Sequence, residues 1–144
     1  GAEGIMTTDT HPKALSASVG DATITWVAKG SGMIEPNMAT MLAYIFTDAA
    51  LDAATLDRLL RRAVHVSFNM LSVDTDTSTS DTCVIMANGR AGAVADQAFY
   101  DVLVAGCVRM TEVLSGPTIL TTDADFRVYR RHGRQAVPCV IPQV

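Results

Sequence analysis

Polar and apolar residues alternate near the start of the chain in the way expected of a β-hairpin. Small polar and apolar side chains take turns over residues 13–19, Gly20 and Asp21 supply a turn, and residues 23–27 are β-branched and aromatic. After a glycine-containing connector, the apolar run over residues 40–46 predicts a strand that is buried on both faces.

Two later segments have the spacing of amphipathic helices. Asp52 is placed to cap a helix whose apolar residues recur every three or four positions as far as Val64, with charged residues largely on the other side. A second helix is predicted from about Asp96 to Leu114, and residues 115–117 end it. The residues of the second helix expected to face the core are Phe99, Val102, Leu103, Gly106, Met110 and Val113.

A further apolar strand is predicted over residues 83–87, closed by a turn at Asn88 and Gly89. The expected fold class is α/β, with a mixed, largely antiparallel sheet and amphipathic helices packed on it. A length of 144 residues suits a single domain over residues 1–144. Residues 115–144 form a tail without an assignment.

Composition excludes several classes of protein. The chain is 49% hydrophobic and 18% charged, and its net charge of −4 gives no field that attracts nucleic acid or an anionic membrane. No signal peptide or membrane-spanning run is apparent in the sequence. Cys83, Cys107 and Cys139 lack CxxC spacing, which favours reduced thiols and a cytoplasmic location.

Several familiar ligand-binding patterns are incomplete. Glu35 stands where a dinucleotide-binding loop beginning at Gly30 and Gly32 needs its third glycine. Asp74 and Asp76 begin like a calcium loop, but the later ligands and the turn glycine are missing. The three histidines lack metal-ligand spacing. We therefore expect no metal site and no cofactor.

The connector delivers a hydroxyl group to the start of a predicted strand. If the peptide bond between Ala39 and Thr40 is cut, the new α-amine, with a pKa of about 8, can act as the base for the Thr40 hydroxyl. Gly30 and Gly32 permit the backbone conformations that such a self-attack needs. On composition alone, an ordinary threonine at a strand edge is the simpler interpretation.

Several motifs in a fixed order favour a nucleophilic Thr40 over an ordinary threonine. The chain resembles the ornithine acetyltransferase family, whose precursors cut themselves between the Ala and Thr of an M-A-T-M-L motif. The resemblance covers about residues 4–90, and several spaced motifs are more specific than one. They are IMTTDTHPK at 5–13, KGSGMIEPNMATML at 29–42, SFNMLSVDTDTSTSDT at 67–82 and ANG at 87–89.

The resemblance implies a reaction and a set of site residues. After self-cleavage between Ala39 and Thr40, Thr40 would take the acetyl group from N-acetylornithine and pass it to the amine of glutamate. Thr7 and Lys29 match family residues that bind substrate, and Lys29 is one of two lysines in the chain. The family fold is distinct, its cleaved parts stay associated, and its members usually form homo-oligomers.

The run of Asp, Thr and Ser over residues 74–82 invites a catalytic role for Asp76 or Asp81. Such side chains more often bond nearby backbone groups, so we expect a hydroxyl network that supports the Thr40 strand.

The end of the chain departs from the family. Family members continue into a D-G-E-G-A-T-K motif with a substrate-binding glutamate; this motif has no counterpart here, and Glu112 lacks the flanking glycines. The upstream segment that supplies the oxyanion hole in the family is also absent, so the sequence is expected to be part of a longer precursor. Three explanations fit this departure from the family: a domain cut from a complete enzyme, a divergent C-terminal half, or an inactive paralogue. The alternative functions are a threonine-nucleophile amidase or aminopeptidase and an inactive assembly module.

Overall fold

The computed structural model describes residues 1–7, 11–30, 41–72, 81–113, 118–120, 130–131, 135–136 and 139–140. Its first strands are β1 (Lys13–Val19), β2 (Ala22–Lys29), β3 (Leu42–Ala49), β4 (Leu71–Ser72) and β5 (Thr82–Gly92). Its helices are α1 (Ala53–His65) and α2 (Asp96–Glu112), with short 3-10 helices at Glu3–Ile5 and Phe68–Met70. Its later strands are β6 (Thr118–Leu120), β7 (Arg130–Arg131), β8 (Gln135–Ala136) and β9 (Cys139–Val140).

The main sheet has four strands in the order β1-β2-β3-β5. β1 pairs with β2 and β2 with β3 in antiparallel orientation, whereas β3 and β5 run parallel. This confirms the expected α/β class with a mixed, largely antiparallel sheet. Shorter strands form two further ladders, β4-β6-β9 and β7-β8.

The helix boundaries follow local chemistry. Asp52 caps α1 as predicted, because its carboxylate accepts a 2.9 Å hydrogen bond from the backbone N–H of Thr55. α2 begins at Asp96 as predicted and ends at Glu112, two residues before the expected end. The Arg58 guanidinium donates to the Asp96 carboxylate at 2.6 Å and ties the two helices together. Within the described residues, no helix is long and apolar enough to cross a membrane.

The core lies between one face of the sheet and the two helices. Ile24, Trp26 and Ile45 on this face are fully buried, as are Phe99 and Leu103 of α2. Close packing is possible because Gly106 lies against the Trp26 indole, where a Cβ atom would sit 2.1 Å from Trp Cζ2. The expected inward face of α2 is confirmed at Phe99, Leu103, Gly106 and Met110, whereas Val102 and Val113 are half-buried.

The opposite face of the sheet is open, so the prediction of a strand buried on both faces is wrong. Within the described residues, β3 alternates between buried and more exposed positions, so the strand is not buried on both faces. Phe46 is 42% exposed, and Met86 beside it on β5 is 45% exposed. The reason is that the helices pack on one face only, so the alternate side chains of β3 form an apolar open face together with Val27 of β2.

The turn predicted at Asn88 and Gly89 is also wrong, because β5 continues through both residues to Gly92. Gly89 and Gly92 have φ values of +72° and +83°, which glycine adopts without strain. The pairing with β3 shifts at this point, and the Ala50 N–H bonds the Gly92 carbonyl at 2.8 Å. The glycines thus mark an irregularity in an edge strand and do not end it.

Candidate active site

Two of the residues expected to bind substrate lie in direct contact. The Lys29 ammonium donates a 3.1 Å hydrogen bond to the Thr7 hydroxyl oxygen, although 22 positions separate the two residues. The short 3-10 helix at Glu3–Ile5 precedes Thr7, and Lys29 is the last residue of β2. The structure therefore brings together an ammonium group and a hydroxyl group that the sequence places far apart.

The sheet register fixes the position of this pair relative to the connector. Lys29 pairs with Leu42, so it lies beside the first residue of β3. Thr40 precedes Leu42 by two positions, but Ala39 and Thr40 lie outside the described residues. The prediction of a nucleophile at Thr40 and a cleavage point between Ala39 and Thr40 thus remains a prediction.

The residue after Thr40 is held from both sides. The backbone N–H of Met41 donates to the Asp81 carboxylate oxygen Oδ1 at 2.7 Å, and the Met41 carbonyl accepts a 3.1 Å bond from the Thr82 N–H. Met41 itself is only 3% exposed. Because β3 and β5 run parallel, the starts of both strands meet at the same edge of the sheet. Consecutive residues ahead of β5 and at its start therefore fix the backbone of Met41.

Asp81 has an unusual environment for a carboxylate. Burial raises its pKa, and the hydrogen bond from Met41 opposes that shift in part. The second oxygen, Oδ2, is shielded from solvent and has no hydrogen-bond partner in the part of the chain that the structure describes. Of the run expected to form a hydroxyl network, residues 74–80 lie outside the described residues; Asp81, near its end, bonds the backbone of Met41 just before β3. No signal in the sequence marks this bond, because it depends on the parallel pairing of β5 with β3.

An apolar depression lies on the same open face of the sheet as Lys29, which follows Val27 by two positions on β2. Its lining consists of Ile5 and Gly1 of the amino-terminal segment together with Val27, Tyr44 and Phe46 of the sheet. A cation and a hydroxyl at the end of such a surface can hold a carboxylate, while the apolar part accepts an aliphatic chain. This combination suits an amino-acid derivative better than a polyanion.

The chain matches a known family and several of its curated members. The model of the ArgJ family matches residues 1–116. This match contains the stretch over residues 4–90 that carries the resemblance, and it ends where the tail over residues 115–144 begins. The expectation drawn from the motifs is therefore confirmed at the level of the family.

Individual relatives are similar over a limited part of their length. The chain is 56% identical over 108 residues to arginine biosynthesis bifunctional protein ArgJ 2 of Clostridium acetobutylicum, covering 75% of the chain and 28% of that protein. It is 56% identical over 102 residues to glutamate N-acetyltransferase Oat2 of Streptomyces clavuligerus, covering 71% and 26%. It is 59% identical over 96 residues to the bifunctional ArgJ protein of Geobacter sulfurreducens, covering 63% and 24%. The chain thus spans about a quarter of the length of these curated relatives.

Proposed function

Because the chain belongs to the ArgJ family, we propose that it carries the self-cleavage point and the nucleophile of a glutamate N-acetyltransferase of arginine biosynthesis. The Streptomyces clavuligerus relative bears that enzyme name, and other relatives are named for arginine biosynthesis. The substrates would be N-acetylornithine and glutamate. The other partners would be the remaining parts of the precursor and further copies of the protein in a cytoplasmic homo-oligomer.

The proposed cleavage needs no group beyond the chain and water. The Thr40 hydroxyl oxygen attacks the carbonyl carbon of Ala39, the Ala39–Thr40 C–N bond breaks as the hydroxyl proton passes to the departing nitrogen, and the acyl group moves to the oxygen as an ester. Water hydrolyses this ester, leaving a carboxylate on Ala39 and a free hydroxyl on Thr40. The nitrogen released from the peptide bond becomes the α-amine of Thr40, which is then the base nearest to its hydroxyl.

Acetyl transfer would follow in two half-reactions. The Thr40 oxygen attacks the acetyl carbonyl of N-acetylornithine while the α-amine takes the hydroxyl proton. The amide C–N bond then breaks, and the proton passes to the departing amine of ornithine. In the second half-reaction the amine of glutamate attacks the acetyl ester, and its proton returns to the Thr40 oxygen. The covalent intermediate divides one amide exchange into two easier steps.

The observation that carries this proposal is the 3.1 Å contact between Lys29 Nζ and Thr7 Oγ1 at the edge of β3. Both substrates are amino-acid derivatives with a free α-carboxylate, which an ammonium beside a hydroxyl can bind by charge-assisted hydrogen bonds. The Lys29 partner strand starts two residues after Thr40. A carboxylate at this pair therefore lies close to the segment that contains the proposed nucleophile.

A hybrid enzyme tests the function. Residues 1–116 replace the matching segment of the Clostridium acetobutylicum relative, and intact mass is measured before and after incubation with N-acetylornithine. We expect a break between Ala39 and Thr40, one acetyl group on the fragment beginning with Thr40, and turnover that requires glutamate. Thr40→Ala should abolish all three. Acetate release without glutamate would replace the transferase by a hydrolase, and an uncut, unacetylated hybrid would leave an assembly module.

A separate variant tests the substrate-binding role of Lys29. Lys29→Met should raise the KM for both substrates by about ten- to a hundredfold, because a hydrogen bond to a charged group contributes about 1.5–3 kcal/mol. Arg61→Met is the matched control, since Arg61 is an exposed cation on α1 that pairs with Asp57. An unchanged KM for Lys29→Met would refute this role while leaving the nucleophile proposal intact.

A further inference from the structure

A small cavity opens on the helix side of the sheet, where β1 begins and α2 ends. Its volume is about 190 Å³, and it is lined by His11, Lys13 and Arg109 together with apolar residues such as Leu15 and Met110. Lys13 is the first residue of β1, and Arg109 belongs to the last turn of α2. The fold therefore brings an ammonium, a guanidinium and an imidazole from two distant segments around one space.

The wall of this cavity is basic. Among the described residues that line it, Lys13 and Arg109 are cations, His11 can become one by taking up a proton, and none is acidic. Positive groups that converge on a space partly shielded from water repel each other and create a potential that attracts an anion. The whole chain has a net charge of −4, so this positive potential is a local feature.

Lys13 is unusually buried for a lysine, with only 3% of the residue exposed. Lysine is almost never fully buried unless it is paired, because an ammonium group loses its hydration there. His11 and Lys13 each also take part in another contact within the chain. An ammonium group carries three N–H donors, so it can serve a contact within the chain and a ligand in the cavity together.

Arg109 is held in a fixed direction by Glu112, three residues later on α2. Arg109 Nη1 donates to Glu112 Oε2, and the Glu112 side chain is 3% exposed whereas that of Arg109 is 41% exposed. A guanidinium carries five N–H donors in a rigid fork, so Nε and Nη2 can donate to a ligand while Nη1 stays with Glu112. The ion pair offsets much of the Arg109 charge, so Lys13 supplies the net positive charge and Arg109 supplies directed donors.

We propose that this cavity binds a small oxyanion through Lys13 and Arg109. Oxygen atoms that carry negative charge are the acceptors to which ammonium and guanidinium groups bond most strongly. The volume of about 190 Å³ lies below the range of about 300–1,000 Å³ typical of pockets for drug-sized ligands. The ligand is therefore an ion of a few atoms, either inorganic phosphate or the carboxylate of a short organic acid.

This site is separate from the pair formed by Lys29 and Thr7. Lys13 pairs with Ala28 of β2, and the side chain of Ala28 is buried in the core. Successive side chains of a strand point to opposite faces, so Lys29 lies on the open face and Lys13 on the helix side. The inference goes beyond the proposed function and does not depend on it, because no step of it uses Thr40.

Calorimetric titration of the full chain tests the proposal. Sodium phosphate and sodium acetate are added separately, with sodium chloride keeping the ionic strength constant. Two charge-assisted contacts to one ion lead us to expect one site per chain with a Kd of about 1 mM or below. Saturation by phosphate alone identifies a phosphate site, and saturation by acetate alone identifies a carboxylate site. Saturation by neither ion at about ten times that concentration would overturn the proposal.

Four variants locate the bound ion. Lys13→Met keeps a long unbranched side chain without the charge, and Arg109→Gln keeps an amide donor for Glu112 without the charged fork. Each should weaken binding by about tenfold or more, because each removes a hydrogen bond to a charged group. Arg61→Met is the matched control, since Arg61 is an exposed cation on α1, and Lys29→Met removes the other lysine. Both should bind within about threefold of the parent.

Two patterns among the variants would refute the site. Loss of binding in Lys29→Met with parent-like binding in Lys13→Met would place the ion at the open face. An equal loss in Arg61→Met would show that general charge attraction holds it. Urea unfolding followed by Trp26 fluorescence shows whether each variant is folded, and if Lys13→Met is not, the partly exposed Arg109 decides the outcome through Arg109→Gln.

Discussion

Adding one methyl group at Gly106 should destabilise the protein, although the same change stabilises most helices. A Cβ atom built on Gly106 lies 2.1 Å from Cζ2, 2.4 Å from Cε2 and 2.5 Å from Cη2 of Trp26. Carbon atoms in contact prefer separations of about 3.5–4.0 Å. Trp26 is 1% exposed and its ring is rigid, so relief requires movement of α2 or of the whole indole.

Two opposing terms set the magnitude for Gly106→Ala. The gain in helix propensity over glycine is about 1 kcal/mol. Overpacking a core usually costs about 1–3 kcal/mol and occasionally more. With three contacts below 3.0 Å against one rigid ring, the cost belongs to the upper end of that range. We therefore expect a net loss of about 2 kcal/mol in the free energy of unfolding.

Urea denaturation measures this loss directly, because Trp26 is the only tryptophan of the chain and its fluorescence reports the affected site. A loss of about 2 kcal/mol lowers the midpoint by about 1 M urea. Ala105→Gly is the control, since Ala105 is an exposed neighbour on α2 and reports helix propensity alone. A Gly106→Ala protein that is more stable than the parent would refute the packing argument.

Two further predictions concern titrating groups. The pKa of Asp52 is lowered by hydrogen bonds from Thr55, so its contribution to stability is present above its ordinary pKa of 3.8 and is lost as pH falls through the lowered value. Asp52→Ala should lower the urea midpoint at pH 7 and lose this part of the acid sensitivity, whereas Asp52→Asn should retain the cap. Equal midpoints at pH 7 for the parent and Asp52→Ala would contradict the stabilising role of the Asp52 cap. Burial raises the pKa of Cys83 and of Cys107 to about 12, so iodoacetamide at pH 8 should modify both in urea but neither in the folded protein, as peptide mapping would show. Rapid labelling of either thiol in the folded chain would contradict the burial.

The features that depend on neighbouring residues were predictable from the sequence. The hairpin needs only alternation around the turn at Gly20, whose φ of +58° suits glycine. The start of α1 needs only Asp52, which bonds Thr55 three residues later. In both places the deciding interaction spans a few positions, so local pattern and structure agree.

The features that depend on residues far apart in the sequence were not predictable. Apolar side chains such as Phe46 indicate burial, but whether a layer covers each face of a strand depends on where the helices pack. The bond from Met41 to Asp81 joins residues 40 positions apart and follows from the parallel pairing of β3 with β5. The contact of Lys29 with Thr7 was indicated only by the match of both residues to the family, since neither spacing nor composition relates the two residues.

The pairing of β2 with β3 determines how the two fragments of a cleaved protein would dissociate. These strands lie on opposite sides of the proposed cleavage point, and they pair from Ile24 with Thr47 to Lys29 with Leu42 in the middle of the sheet. Cleavage would turn one continuous chain into a two-chain complex held by its central ladder. Unfolding would then be a dissociation, so its midpoint would rise with protein concentration, whereas the midpoint of an uncut Thr40→Ala chain would not.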